Sequence, residues 1–271
     1  MAVTKFQREV WAKKIQDDLE LKTKLVDNCT REYEGDCEHA KTVRILGVGE
    51  PSIGAYTGAD ITIEPMTDKD QLLDIDQANY FAFEVKDVDK AQSKPGLPEK
   101  YQAKAVHGLA VKRDTYVANL IKTGTNVTTA TGRTQAAIKT AIDNAIVALR
   151  QRNFDDTGVI EITPDVYNIF KNNLIELSTN NPELIKKGIV GMYDNFEVVM
   201  SNNLAKDTTG DSKFIYCAVR SKSAIAFAGQ INEVEAGRME KRFSDYIRGL
   251  DTFGSKVIAQ DELQVVKIPV A

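Results

Sequence analysis

Asn79-Tyr80-Phe81-Ala82-Phe83-Glu84-Val85 alternates without interruption. Successive side chains of a strand leave opposite faces, so Phe81, Phe83 and Val85 share one side and Tyr80, Ala82 and Glu84 the other. The stretch predicts a strand with one face on a core. Beyond it, Pro95, Gly96 and Pro98 mark a loop, and a helix is predicted over 99–122. Its apolar stripe is Val106, Leu109, Ala110, Tyr116, Val117, Leu120 and Ile121. At ~1.5 Å per residue this helix runs ~35 Å, long for a chain of this size. Gly108 inside it costs about 1 kcal/mol relative to alanine, so close packing or a bend is expected there.

Working outward towards the N-terminus, Val43 and Ile45 alternate with polar neighbours, and Gly47, Gly49, Pro51, Gly54 and Gly58 follow within a dozen residues. Ile61 and Ile63 resume the alternation. This predicts a long hairpin with a glycine-rich tip. Arms of ~10 residues at ~3.3 Å each would project ~30 Å, and a two-stranded ribbon is marginal alone in water. It needs a surface to lie against. The segment 4–26 reads as a helical arm with a thin apolar stripe, Phe6, Val10 and Trp11, soon followed by Lys13, Lys14, Asp17 and Asp18. It is either a weakly held terminus or an element that finds its partner on a neighbouring chain.

Towards the C-terminus, 124–134 is rich in threonine and glycine and is expected to be an exposed or mobile loop. A helix over 134–152 carries Ile138, Ala141, Ile142, Ala145, Ile146 and Leu149 on one face. A short buried strand is predicted at 158–162. Thr163-Pro164-Asp165 then opens a helix: threonine caps free amides, proline suits the first position and aspartate complements the dipole. That helix is expected to bury Val166, Ile169, Phe170, Leu174 and Leu177. Further strands are predicted at 196–200 and 214–219, with one more strand pair around Val257-Ile258 and 263–268. No internal repeat is visible. Strands scattered among helices without regular alternation indicate an α+β class.

The chain has 271 residues, enough for one large domain or two modest ones, with 42% hydrophobic and 27% charged residues. A net charge of -4 argues against a dedicated nucleic-acid binder, though not against a protein that encloses DNA. No run approaches the ~18 apolar residues of a membrane span, and no apolar core of a signal peptide follows the first residues. Three cysteines, Cys29, Cys37 and Cys217, suit a reducing compartment better than a disulfide framework.

Catalytic chemistry finds little to work with. The two histidines are His39, beside Cys37, and His107, on the long helix. Cys29, Cys37 and His39 lack the spacing of a zinc site. The glycines at 47, 49 and 54 have no Gly-Lys-Ser/Thr ending, and no Gly-x-Ser-x-Gly elbow exists. Asp17-Asp18, Asp87-Asp89 and Asp155-Asp156 read as solvated charge. The expectation is no catalytic residue, no cofactor and no metal. Glu235, Arg238, Glu240, Lys241, Arg242, Asp245 and Arg248 interleave signs, which fits either salt bridging between proteins or a solvated face.

Four stretches then follow one another along the chain. The first is Arg31-Glu32-Tyr33-Glu34-Gly35-Asp36 with Lys41-Thr42-Val43-Arg44-Ile45. The second is Ile75-Asp76-Gln77-Ala78-Asn79-Tyr80-Phe81, continuing through Phe83-Glu84-Val85 to Asp87-Val88-Asp89-Lys90-Ala91-Gln92. The third is Met200-Ser201-Asn202-Asn203-Leu204. The fourth runs from Ala226-Phe227-Ala228 through Gln230, Glu235 and Arg238 to Phe243-Ser244-Asp245, Gly249 and Phe253-Gly254-Ser255-Lys256-Val257. Together they resemble the major capsid proteins of tailed phages, which share the Hong Kong 97-type fold. Residues 31–45 resemble that family's acidic turn into a hairpin strand. Residues 75–92 resemble the return strand of its extended loop and the entry to its spine helix. Residues 200–204 resemble a strand end, and 226–257 resemble the peripheral-domain segment.

The resemblance implies an N-terminal arm (1–40) and an extended loop (41–80). It implies a peripheral domain (81–129 and 216–271) that includes a spine helix (98–123), and an axial domain (130–215). It implies a self-assembling subunit of an icosahedral head, arranged as hexamers and pentamers around double-stranded DNA. Assembly in the host bacterial cytoplasm, a portal and a place in the virion follow from it. Some members of the family begin with a removable scaffolding segment. This sequence enters the arm almost at Met1, so a separate scaffolding protein is expected. No cross-linking lysine–asparagine pair is assigned. Candidate contacts between subunits are Trp11, Glu50, Tyr56, Asp60, Glu235, Arg238, Arg242 and Asp245. The alternatives are an encapsulin-like compartment shell, an α+β enzyme, or a tail or head-completion protein.

Overall fold

The computed structural model describes residues 23–33, 41–48, 68–86, 97–154, 156–171, 177–178, 189–207, 213–239 and 243–270. In chain order its strands begin with β1 (Thr42–Val48), β2 (Asp68–Asp74), β3 (Gln77–Lys86), β4 (Val127–Thr129), β5 (Val159–Ile162) and β6 (Leu177–Ser178). They continue with β7 (Ile189–Tyr193), β8 (Phe196–Met200), β9 (Phe214–Arg220), β10 (Ile225–Arg238), β11 (Ser244–Val257) and β12 (Leu263–Pro269). The α-helices are α1 (Leu97–Lys122), α2 (Gln135–Arg150) and α3 (Pro164–Phe170).

One sheet has seven strands in the order β4-β12-β9-β5-β8-β7-β6. Its two faces follow from the alternation of β9. Ile215, Cys217 and Val219 join Ile160, Ile162, Val198, Val266 and Ile268 beneath α2, whose six predicted apolar positions are all buried. Tyr216 and Ala218 face the other way, against Val117, Ala118 and Ile121 of α1 and Leu25 and Val26 of the N-terminal segment. Both short helices start as their sequences dictate. Thr134 accepts a hydrogen bond from the Ala137 amide at 3.3 Å, and Thr163 accepts one from Val166 at 3.4 Å.

The second sheet is antiparallel, in the order β10-β11-β3. The N-terminal half of α1 lies on it, with Val106, Leu109 and Ala110 against Ile247, Phe81 and Phe83. The long helix therefore serves two cores in turn, which explains a length that a single core would not require. A third element, β1 paired with β2, is an antiparallel ribbon whose Val43, Ile45 and Leu73 pack on Ala226 and Ala228 of β10.

Several expectations are corrected. The return arm of the hairpin is 68–74, in register Val43↔Leu73, while 77–86 pairs with β11 and not with β1. Ile61 and Ile63 lie outside the described residues. Gly108 is exposed, and a Cβ there would meet nothing within 4 Å, so no close packing explains it. Val127–Thr129 is a strand rather than a loose loop. Its anchor is the parallel backbone ladder to β12, which needs no apolar side chain. The α3 helix stops at Phe170, and Leu177 belongs to a strand; Leu174 lies outside the described residues. Strands β11 and β12 do not pair, because a 3-10 turn at Gln260–Glu262 carries the chain from one sheet to the other. Strands β4, β9 and β12, far apart in sequence, sit together in the seven-stranded sheet. Repeated crossing between sheets gives each a discontinuous set of segments.

Candidate assembly surfaces

A subunit that joins others needs a stiff frame and uncovered surfaces. Buried charges supply much of the frame. Arg220, on β9, is fully buried and forks onto Glu161 of β5 at 2.7 and 3.1 Å. Its remaining N–H groups donate to the carbonyl oxygens of Asn28 at 2.6 Å, Leu25 at 3.3 Å and Ser221 at 3.3 Å. One side chain thereby ties the N-terminal segment to the centre of the large sheet. Arg113 of α1 makes a comparable buried fork onto Asp251 of β11, and its guanidinium carbon lies 5.4 and 5.8 Å from the ring centroids of Phe227 and Phe253.

Asp114, the next residue on α1, receives the backbone of the N-terminal segment at residues 24–26. Its carboxylate accepts the backbone N–H groups of Lys24, Leu25 and Val26 at 3.1–3.3 Å and the Asn203 amide at 3.1 Å. These amides open the 3-10 turn Val26–Asn28, so Asp114 caps a turn distant in sequence. Burial pushes the Asp114 carboxyl up to about 6 from 3.8, against the hydrogen bonds that favour the anion. A raised folded pKa means that the native state binds this proton more tightly. Its stabilising contribution is complete below the unfolded value and is lost as pH rises through about 6. The stability of wild type relative to Asp114→Asn is therefore expected to fall with pH between 4 and 6, by up to about 1.4 kcal/mol per pH unit. Urea titrations at half-unit pH intervals measure it, and parallel curves for the two proteins would refute it.

The uncovered surface lies on the three-stranded sheet. Its face away from α1 carries Tyr80, which is 80% exposed, opposite Leu250 in register. With Phe81, Ala82, Gly249, Glu235 and Arg248 they line a groove of about 390 Å³. Arg248 donates to Glu235 at 2.7 Å along its rim. At the tip of the β10–β11 hairpin Phe243 is 82% exposed, with Arg238 over its ring at 6.0 Å. Large apolar side chains left in water on one face are the mark of a surface made to be covered.

Of the residues read as candidate contacts, Glu235, Arg238 and Asp245 lie on this hairpin, and Arg238 faces Asp245 across the strands. Glu235 already holds Arg248 within the chain. Trp11, Glu50, Tyr56, Asp60 and Arg242 lie outside the described residues. Sequence reasoning missed Tyr80, Leu250 and Phe243. The available signal was Tyr80 itself, an aromatic on the polar side of an alternating strand. Among the described residues no His, Cys, Asp and Glu group could hold a metal ion, and no helix is long and apolar enough to cross a membrane. Burial pushes the thiols of Cys29 and Cys217 up to about 11 and about 12, so both stay protonated at neutral pH.

The model of the phage capsid protein family matches residues 73–268. The chain belongs to that family. Among solved structures it is similar to that of Mycobacterium phage Che8, with 24% identity over 90% of each chain and a TM-score of 0.72. It is also similar to the capsid of cyanophage P-SCSP1u, with 17% identity over 86% of this chain and 84% of that one and a TM-score of 0.67. A virus-like particle from Pyrococcus furiosus follows the same path at 11% identity, over 96% and 99% of the two chains, with a TM-score of 0.59. No curated protein matches. The fold is the Hong Kong 97-type capsid fold, and this member of the family is a shell-forming structural protein of the virion.

Proposed function

We propose that this capsid protein closes into hexamers and pentamers of an icosahedral head that encloses double-stranded DNA, without catalysing a reaction. The observation that carries the reading is the open face at Tyr80 and Leu250, together with the exposed tip at Phe243, on a subunit whose other sheet is covered on both faces. Rings arise when such a surface meets a different patch on the next copy and the rotation closes. Each added copy engages several neighbours, so modest contacts become strong collectively.

The arm (1–40), extended loop (41–80), peripheral part (81–129 and 216–271, with the spine helix 98–123) and axial part (130–215) are assigned in this scheme by their resemblance. The extended loop and arm reach neighbouring copies, and Trp11, Glu50, Tyr56, Asp60, Arg238, Arg242 and Asp245 take part. A scaffolding protein and a portal are the expected partners, and assembly takes place in the host cytoplasm. A subunit of net charge -4 holds its genome loosely.

Electron microscopy of the purified chain, alone and with the neighbouring head genes, tests the reading. Closed shells, capsomer rings or tubes are expected; a monomer under every condition would overturn it. Particles filled with a protein cargo would favour the compartment alternative. A variant carrying Tyr80→Lys and Leu250→Glu, opposite charges that face each other across the strands, is expected to lose no more than about 1 kcal/mol of stability, yet to yield no closed particles. Normal shells from this variant would remove the groove from the assembly surface.

A further inference from the structure

Among the described residues the two most exposed large apolar side chains are Phe243 and Tyr80. Their settings differ. Tyr80 and its register partner Leu250 form one wall of the groove on the three-stranded sheet. The next row on the same face is Ala82, Arg248 and Glu235. Ala82 offers only a methyl group there, and Phe81 and Gly249, in register between the two rows, close the floor. Phe243 is instead a knob. It stands just before β11, where the Met239 amide donates to the Ser244 carbonyl at 3.0 Å and closes the hairpin.

Knob and hole cannot meet within one chain. Strand β11 runs unbroken from Ser244 through Leu250, so at ~3.3 Å per residue about 23 Å separates Phe243 from the groove, far beyond the reach of its side chain. The ladder from Arg238↔Asp245 to Glu233↔Leu250 has no bulge that would fold the tip back. Between copies the two match in size. The groove offers about 390 Å³, while a cavity of ~150 Å³ takes up a benzene ring, which leaves room for the Arg238 side chain that lies over Phe243. They match in charge as well. Residues 238–243 contain Arg238, Lys241 and Arg242 against one carboxylate, Glu240. The groove carries Glu235, paired with Arg248, and the same face of β3 continues to Glu84, which is exposed. We propose that Phe243 of one copy seats in the groove of another, against its Tyr80 and Leu250, and carries Arg238 towards the carboxylates on that face. The proposal rests on the capsid reading above and names the patch that the groove receives. A surface knob complementary to a pocket elsewhere on the same chain is a device for joining copies, and a buried aromatic anchor supplies much of the affinity of such a contact.

Cross-linking between differently marked copies tests this. Phe243→Cys and Leu250→Cys are made as separate variants in a Cys37→Ser background; Cys29 and Cys217 are buried. Shells are assembled with the neighbouring head genes from each variant alone and from both together, with wild-type chain added so that particles close. They are treated with a short bis-maleimide, and the joined peptides are identified by mass spectrometry. The expected product links position 243 of one variant to position 250 of the other, and it forms in the mixed shells alone. Mixed shells that close without this product overturn the inference and leave the capsid reading intact. Products confined to 243–243 or 250–250 pairs also overturn it, because they set like surfaces against each other. If wild type forms no particle under any condition, the capsid reading fails and the inference falls with it. A second readout is the concentration needed for assembly. Phe243→Ala, at an exposed position, should leave denaturant unfolding unchanged and raise that concentration about tenfold or more, and Phe243→Leu should recover part of the loss. Assembly of Phe243→Ala at the wild-type concentration overturns the inference.

Discussion

Arg220→Met is expected to lower the unfolding free energy of the unassembled chain by about 3–5 kcal/mol, the cost of breaking a buried ion pair from one side. Glu161, with no exposed surface, would be left as a buried acidic side chain without its guanidinium partner. The Asn28 carbonyl would also lose its donor, worth about 1 kcal/mol, whereas the Leu25 carbonyl keeps the Asn28 amide at 3.2 Å. The methionine fills part of the volume, so the loss reads out charge and hydrogen bonding more than a cavity. Adding Glu161→Leu should recover a substantial part of the deficit, since an apolar pair of similar size is often no less stable than the ion pair. It should not recover all of it, because the Asn28 carbonyl does not regain the Arg220 donor. Denaturant midpoints with unchanged slopes give the numbers. A single-variant cost below about 1 kcal/mol would place the pair in the class of exposed bridges and defeat the view that Arg220 holds the segment around Leu25 and Asn28 to the sheet.

That network also shows what the sequence could and could not disclose. The cap at Thr163 and the stripe of α2 were legible because each depends on neighbours within a few residues. The alternation of 79–85 placed Phe81 and Phe83 on the covered face and Tyr80 on the open one, as the structure has it. The pairings of those strands were not legible. Period-two alternation states which face is buried and says nothing about which strand lies alongside, so 77–86 was joined to the wrong partner. Glu161 and Arg220 lie 59 positions apart, and neither carries a local sign of being buried. Asp114 likewise caps a turn 88–90 residues away. The open groove escaped for a related reason: Tyr80 and Leu250 become neighbours only through the β3–β11 register. The four quoted stretches nonetheless led to the right family, because they preserve element order along the chain, and order survives when pairing cannot be read.

Gly254→Ala is the second substitution with a large expected effect, and its cause is a single atom. Gly254 lies on β11 opposite Ala228, and a Cβ there would stand 2.1 Å from the Asp74 carbonyl oxygen, 2.9 Å from its carbon and 3.0 Å from the Ile75 Cα. All three are backbone, at the corner where β2 turns into β3. That corner cannot rotate away as a side chain would. The Ile75 amide donates to Lys41 at 3.0 Å and Asp74 pairs with Thr42, so the whole base of the β1–β2 ribbon must shift with it. Overpacking of this kind costs about 1–3 kcal/mol, and more where backbone must move; the upper end is expected here. Gly249→Ala is the milder comparison, because its Cβ would meet the Phe81 ring at 2.5 Å, a group with some freedom to swing. Gly108→Ala is the opposite control: nothing lies within 4 Å, and alanine in an exposed helix should stabilise by about 1 kcal/mol. If the ribbon's seat on β10 and β11 directs the extended loop towards its neighbour, Gly254→Ala should also assemble poorly under conditions in which the folded chain still predominates. Hydrogen exchange should then show faster opening of β1 and β2 than of β5 and β9. Equal protection of the ribbon in variant and wild type, with normal shells, would show that the corner has room that the geometry denies it.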